Sequence, residues 1–464
     1  MTATNEYDSH GMGRRLTDFG CLLWLTLASP ALIESDAYRY AAVILMMIGL
    51  YFFYWRLPVR PRMDWFAWLC IGWGLYVLGR FAFIYETTPG HDIGASDWLY
   101  AFPLFFPLLG FTFSLYGKQS ERMIAGFFAA ALILLAVTTH YGRIFSGETV
   151  SPLIMNNQIH GAVACGLMIT WAAFWMLHYL TTPSADRRFA RFAFVTAPLV
   201  IALCLVAVYG AKSKGAWLAL SITLPVLAIV VLSYFRHAKA ALVLVVLFAL
   251  LCAGLYAVRH NLSATAGPTI ASTVSMFGHM ASGNGVDGAV SGTIDAGNTP
   301  ISMDERLQLW SNGWEVFSSA PVFGWGNAWL ERWYQTRYAS VHYTLLHNGY
   351  LEILVRFGLF GAAVMSLMLG TMIATVWRAC RAGLIPRAAF HAYAVSLFFF
   401  ALTILSNSNN RLAIGESLAL GSAAFACALR LRLRGVPYRG ASESSSVRES
   451  SQNANAITMT PSKP

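Results

Sequence analysis

The sequence predicts an all-α polytopic membrane protein with about twelve transmembrane helices and one large loop late in the chain. Three observations carry this. Of 464 residues, 57% are hydrophobic and only 12% charged, against roughly 45–50% and about 25% in an ordinary globular domain. Mean hydropathy is +0.54, too high for a surface that meets only water. The apolar residues also gather into runs near the roughly 20 residues that a spanning helix needs. An ordinary soluble enzyme and a largely disordered chain are excluded by the same figures. The short alternating segments of a membrane β-barrel do not occur.

The runs are residues 17–33, 40–57, 65–85, 97–116, 123–139, 160–180, 189–209, 215–235, 240–258, 358–377, 388–405 and 412–429. The first is short and follows Arg14 and Arg15. It ends at Ala28-Ser29-Pro30-Ala31, which resembles a leader cleavage site. Many spans follow it and no soluble domain does, so it is expected to remain as a helix. The seventh and eighth runs are parted only by Ala211-Lys212-Ser213-Lys214, too short for a loop. The seven cysteines lie mostly inside apolar runs without CxxC spacing, which supports neither a disulfide framework nor a metal site.

Loop charge orients the bundle. With the amino terminus inside, 21 of the 32 Lys and Arg fall on inner segments, and the bias holds at every inner turn. Both termini are then cytoplasmic. The net charge of +10 follows from this topology and a basic rim facing anionic lipid, and implies no nucleic acid. The chain divides into a cytoplasmic start (1–16), helices one to nine (17–258), an outward loop with amphipathic helices (259–345), an outward segment with helices ten to twelve (346–429), and a cytoplasmic tail (430–464). Residues 263–299 are rich in Gly, Ser, Ala and Thr and are expected to be mobile. Asn284-Gly285-Val286-Asp287-Gly288 follows no strand, which argues against nucleotide binding. Asp304 to Ser318 sets Leu307, Trp310, Trp314 and Phe317 near one helical face, as a helix lying on the bundle or membrane would. The tail after Gly440 is Ser- and Asn-rich and reads as disordered.

Outer segments normally avoid positive charge, so the cations kept there are the candidates for function. Lys212 and Lys214 share one four-residue turn, where they repel each other; a bound anion would offset that, and so would snorkelling to lipid headgroups. Arg306 falls in the first turn of the expected helix, where a cation opposes the helix dipole. Arg143 and Arg411 flank other outer span ends. Arg80 lies within the third span, about 7–8 Å below its outer end. Arg332 and Arg337 read as a solvated helix face. Glu416 is the exception among scarce mid-span acids and lies close enough in sequence to pair with Arg411.

His347, in Leu345-Leu346-His347-Asn348-Gly349-Tyr350-Leu351-Glu352, stands where the chain leaves the outer side for a span. Unperturbed histidine titrates near 6.5 and is a competent base at neutral pH. Asn348 is placed to orient that ring or hold a substrate hydroxyl. His342, five residues earlier, is poorly spaced for a shared metal. His160 reads as a satisfied interfacial residue.

Together these pieces resemble the bacterial O-antigen ligase family, with its relatives the O-antigen polymerases and protein O-oligosaccharyltransferases. The resemblance rests on Arg306-Leu307 with Trp310, Pro321-Val322-Phe323-Gly324-Trp325-Gly326, His347-Asn348 with Leu351, and Gly358-Leu359-Phe360-Gly361. Ser213-Lys214-Gly215-Ala216-Trp217 is similar to the family's Ser-Arg-Gly-type turn, with Lys214 where an arginine is usual, so the bidentate fork is lost. Arg356 stands where an acid is common and is given no catalytic role.

The resemblance implies a GT-C-like membrane glycosyltransferase in the bacterial inner membrane, with its active site and large loop in the periplasm. A polysaccharide on undecaprenyl pyrophosphate would pass to a sugar of lipid A-core. His347 would be the base. Lys214 and Arg306, with Arg143 and Lys212, would stabilise the leaving diphosphate; Asn348, Arg80 and Arg411 are secondary candidates. The anomeric centre would invert, and no cofactor or divalent metal would be needed. The expected partners are this donor, the lipid A-core acceptor and membrane lipids. A reading from a different class is a lipid-linked saccharide flippase or transporter, which the outward clustering of cations and the missing internal repeat disfavour.

Overall fold

The computed structural model describes residues 5–56, 60–88, 97–182, 186–235, 301–341 and 345–435, together with residues 256, 259, 263, 267 and 292–294. Among these residues the regular structure is helical. Eight helical segments are long and apolar enough to cross a membrane. Nearly all of the expected ninth span (240–258), most of the 263–299 loop with Asn284 to Gly288, His342 and the tail from 436 lie outside the described residues.

The helices, in order, are α1 (Asn5–Ala28), α2 (Ala37–Tyr51), α3 (Trp65–Thr87), α4 (Phe106–Tyr116), α5 (Ser120–Thr138), α6 (Tyr141–Phe145), α7 (Gln158–Thr181), α8 (Arg187–Ala211), α9 (Lys214–Leu232), α10 (Ile301–Ser319), α11 (Trp329–Trp333), α12 (Gly349–Arg381), α13 (Arg387–Thr403) and α14 (Ala413–Leu433). Short polar side chains set several starts. Asp64 accepts from the Ala67 amide at 3.0 Å, Asn157 from Ile159 at 2.8 Å and Asp186 from Arg188 at 2.8 Å. Each satisfies an amide that the first helical turn leaves open.

Residues 99–138 form one 40-residue helical run, twice the length of a span. It doubles back at Gly117–Gln119. Phe113 meets Trp24 with centroids 4.9 Å apart, and Tyr116 lies over Gly20, so α4 runs antiparallel to α1. Beyond the turn, Arg122 pairs with Asp18 at 2.8 Å and Gly126 lies beside Leu25, so α5 runs parallel to α1.

Two apolar cores follow from these pairings. One joins α1, α2, α3, α4, α12 and α14 through Leu45, Cys70, Leu109, Val376 and Ala424. The other joins α5, α7, α8 and α13 through Ala131, Cys165, Ala197, Cys204 and Phe399. Among the described spans α7 is the most enclosed; Ala164 and Ala172 share a buried cluster with Ala193, Ala197 and Cys204 of α8, and Gly161 leaves room for Pro152.

Helix α12 is broken within its length. At Gly358 the backbone adopts φ 61, ψ −161, a region open essentially to glycine alone. The amides of Leu359 and Phe360 turn instead to the Pro321 and Val322 carbonyls at 2.8 and 2.9 Å, and the Trp325 amide donates to Val355 at 2.8 Å. Gly324 (φ +63) lies against the Arg356–Phe357 backbone, where no Cβ fits. Arg80 donates to the Phe323 carbonyl and to the Gly324 carbonyl at 2.6 Å. The Pro321 to Gly326 turn is thus fastened to α12 and α3.

Three expectations change here. Helix α10 begins at Ile301, so Arg306 stands in its second turn, and the dipole opposes it less. Of the expected face of α10, Leu307 and Phe317 are buried and Trp310 packs on the same core, together with Leu309, Asn312 and Val316, while Trp314 is 49% exposed. The cause is packing against α11 and α12 in a small aromatic core with Trp329 and Trp333. Glu416 pairs with Arg39 at 3.0 Å and with the Tyr38 hydroxyl, not with Arg411, because Arg411 is held by Glu352 at 2.9 Å.

Candidate functional site

A cavity of about 220 Å³ opens at one end of the bundle. Its walls come from the start of α7 (Gln158, Ile159, Val163), the turn between α8 and α9 (Lys212 to Ala216), Arg306 of α10, and the segment after α13 (Thr403, Ser406, Asn407, Asn409). Among the described residues, three cations and no carboxylate line it.

Helix α8 ends as Lys212 turns left-handed (φ 48), and its Nζ donates to the Gly147 carbonyl at 2.6 Å. The Ser213 side chain then caps α9 by accepting from the Ala216 amide at 3.5 Å. Lys214 is the first residue of α9. A lysine at a helix amino terminus adds charge to an end that already favours anions. Gly215 lets the two walls meet, since a Cβ there would lie 2.1 Å from the Ser406 hydroxyl.

Arg306 faces the same space from α10. No carboxylate pairs with it among the described residues, and burial pulls its guanidinium below the ordinary arginine range. Guanidinium still remains protonated near neutral pH. A partly buried cation without a counter-charge is costly, so this wall favours an anionic ligand.

His347 does not line the cavity itself; it reaches it through Asn407. Its backbone is left-handed (φ 50), and its Nδ1 lies 2.9 Å from Asn407 Oδ1. Asn407 Nδ2 donates to Asn409 Oδ1 at 2.7 Å. Glu352, fully buried, fixes this corner. It accepts from the Leu346 amide at 2.6 Å, from the Ser408 hydroxyl at 3.0 Å, from Arg411 at 2.9 Å and from Arg356 at 2.8 Å. Arg356 lies over the Trp329 ring, 4.7 Å from its centroid. One carboxylate therefore ties the loop before His347 to the loop that carries Asn407.

The other sequence candidates lie elsewhere. Arg143 pairs with Glu148 at 2.7 Å on the surface, and that hydrogen bond holds the Glu148 carboxyl below the usual range. Asn348 caps α12 by accepting from the Tyr350 and Leu351 amides at 3.1 and 3.2 Å. Arg80 and Arg411 are committed to the contacts given above. His160 pairs with Glu34 at 3.0 Å, and Arg332 with Glu315 at 2.9 Å. Asn407, Asn409, Ser406, Gln158 and Glu352 were not singled out from sequence. The polar run Asn407-Ser408-Asn409-Asn410 between two apolar spans is the signal that marks the neighbourhood of three of these positions, Ser406, Asn407 and Asn409. No three His, Cys, Asp or Glu side chains gather as a metal site would require among the described residues.

Fold and site define a multi-pass helical membrane protein with a cationic cavity at one membrane end. Residues 199–366 match the model of the O-antigen ligase family, so this stretch of the chain is similar to that family. The matched stretch contains Lys212, Lys214, Arg306, His347 and Asn348, and ends before Asn407. Family members are membrane glycosyltransferase-like enzymes. The chain is also similar to a Haemophilus influenzae protein described only as uncharacterized, at 24% identity over 363 residues, covering 76% of this chain and 82% of the relative.

Proposed function

We propose that this protein is an O-antigen ligase. It moves a polysaccharide from undecaprenyl pyrophosphate to lipid A-core in the periplasmic leaflet of the inner membrane. One observation carries the reading: Lys214 and Arg306, about ninety positions apart in sequence, line one cavity beside the Asn407–His347 pair. The twelve-span topology, with both termini cytoplasmic, belongs to the same proposal.

In this mechanism the donor diphosphate lies against Lys214 and Arg306, with Lys212 at the edge. An acceptor hydroxyl attacks the anomeric carbon from the face opposite the diphosphate. The new C–O bond forms as the bond to the diphosphate oxygen breaks, and its electron pair passes to that oxygen. The cations stabilise the charge that develops there. Asn409 orients the Asn407 amide so that its oxygen accepts from His347 Nδ1–H. Nε2 is then the basic nitrogen that takes the hydroxyl proton. The anomeric centre inverts. Charge is supplied by side chains, so the step is written without a divalent metal, and excess EDTA is expected to leave the purified enzyme active. Loss of activity that returns with an added divalent cation would overturn that part.

The decisive assay reconstitutes the protein with a lipid-linked glycan and offers lipid A-core, a second donor glycan or a protein as acceptor. Product on lipid A-core alone supports the ligase. Product on the second glycan or the protein identifies an O-antigen polymerase or a protein O-oligosaccharyltransferase instead. Donor that crosses the bilayer without transfer identifies a transporter.

A further inference from the structure

We propose that a second pocket, at the end of the bundle away from the candidate site, binds one anionic phospholipid. This cavity of about 200 Å³ is lined by α2, the connector before α3, α4 and α14. Helix α14 fixes its distance from the first site. Glu416 near its start lies on the site side, and Arg430 and Arg434 lie at the other end, roughly 20–30 Å away along the axis.

The pocket changes character with depth. Leu108, Phe111 and Cys427 form its inner wall, and Arg62, Asp64, Arg430 and Arg434 form its mouth. From position 427 to 434 an α-helix rises about 10 Å. That suits an acyl segment below and a phosphodiester above. The wall beside the mouth includes Phe53 and Tyr54, in a π-helical stretch, Phe52–Arg56, that follows α2. Such widened turns are frequent at functional sites.

Charge selects the headgroup. Asp64 is the lone carboxylate among the described residues that line the pocket, and Arg430 and Arg434 already share it. The Arg434 guanidinium donates to the Arg62 carbonyl at 2.8 Å, which brings two arginine residues together. Arg62 finds no carboxylate among the described residues. Three guanidiniums facing one carboxylate leave a net positive mouth above an apolar slot. Basic pockets between membrane helices are suited to anionic headgroups.

The test uses the full-length protein in detergent, titrated with short-chain phosphatidylglycerol or phosphatidylcholine. Native mass spectrometry counts bound lipid and thermal unfolding reads stabilisation. Phosphatidylglycerol should be retained and should raise Tm, and phosphatidylcholine should do neither. The pair Arg62→Gln with Arg434→Gln should weaken phosphatidylglycerol binding about thirtyfold, because each basic residue near a lipid surface contributes a similar increment. Leu108→Trp, which fills the slot and leaves the charges in place, should lower retention as well. Equal binding of both lipids, or wild-type retention by either variant, would overturn the proposal. None of these residues lines the candidate site, so failure here leaves the transferase reading intact.

Discussion

His347, Asn407, Lys214 and Arg306 divide the proposed chemistry between proton transfer and charge. A general base contributes about 10²–10⁴-fold. His347→Ala should therefore lower kcat by that range with the folded yield unchanged, and near-wild-type turnover would remove the base. Asn407→Asp puts a carboxylate beside the imidazole. An opposite charge favours the protonated ring, so its pKa rises, and the acidic limb of the rate profile should move about one pH unit or more to higher pH. An unmoved limb would show that Asn407 does not govern the ring. Lys214→Ala and Arg306→Ala should each cost about 10²–10³ in kcat, as loss of one donor to a developing anion does. Lys214→Arg should retain most activity, since the charge stays. Arg143→Ala should remain within about twofold, because that side chain spends its charge on exposed Glu148.

At the scale of elements, two fastenings hold the site end together. Glu352 bridges the His347 loop and the Asn407 loop within a fully buried cluster. Glu352→Ala removes the buried carboxylate that both Arg356 and Arg411 meet and should destabilise the fold by about 3–5 kcal/mol, read as a lower Tm in detergent. Gly358→Ala forces a side chain into a backbone region it disfavours and should cost about 1–3 kcal/mol. The sequence exposes the cations and the glycine motifs, because charge in an apolar chain stands out. It does not expose what they bind. Asn348 reads as a substrate contact yet caps a helix, and Arg80 reads as an outward cation yet holds two carbonyls. Helix starts and carbonyl partners depend on backbone geometry that residue type alone leaves open. Asn407 is hidden for the opposite reason: an uncharged amide gains its role only when the turn after α13 folds against His347.

For the whole molecule, hydropathy states the class and most of the spans, since length and apolar content are local properties. It places a break between residues 116 and 123, where the 40-residue helical run reverses against α1. Charge bias predicts the sidedness, and labelling checks it. In a cysteine-free background, Lys118→Cys and Arg434→Cys should react with an impermeant reagent only from the cytoplasm. Glu148→Cys, beside Lys212, should react only from the periplasm. Labelling of all three from one side would reverse or break the topology.

The polar cavity takes its walls from residues as far apart as 158 and 409. A ribosome must therefore finish most of the polypeptide before that space exists. A nascent chain halted ahead of its last two helices lacks the wall formed by Thr403, Ser406, Asn407 and Asn409. If the proposed transfer reaction holds, a partly synthesised chain in the bilayer would lack the site that the reaction needs.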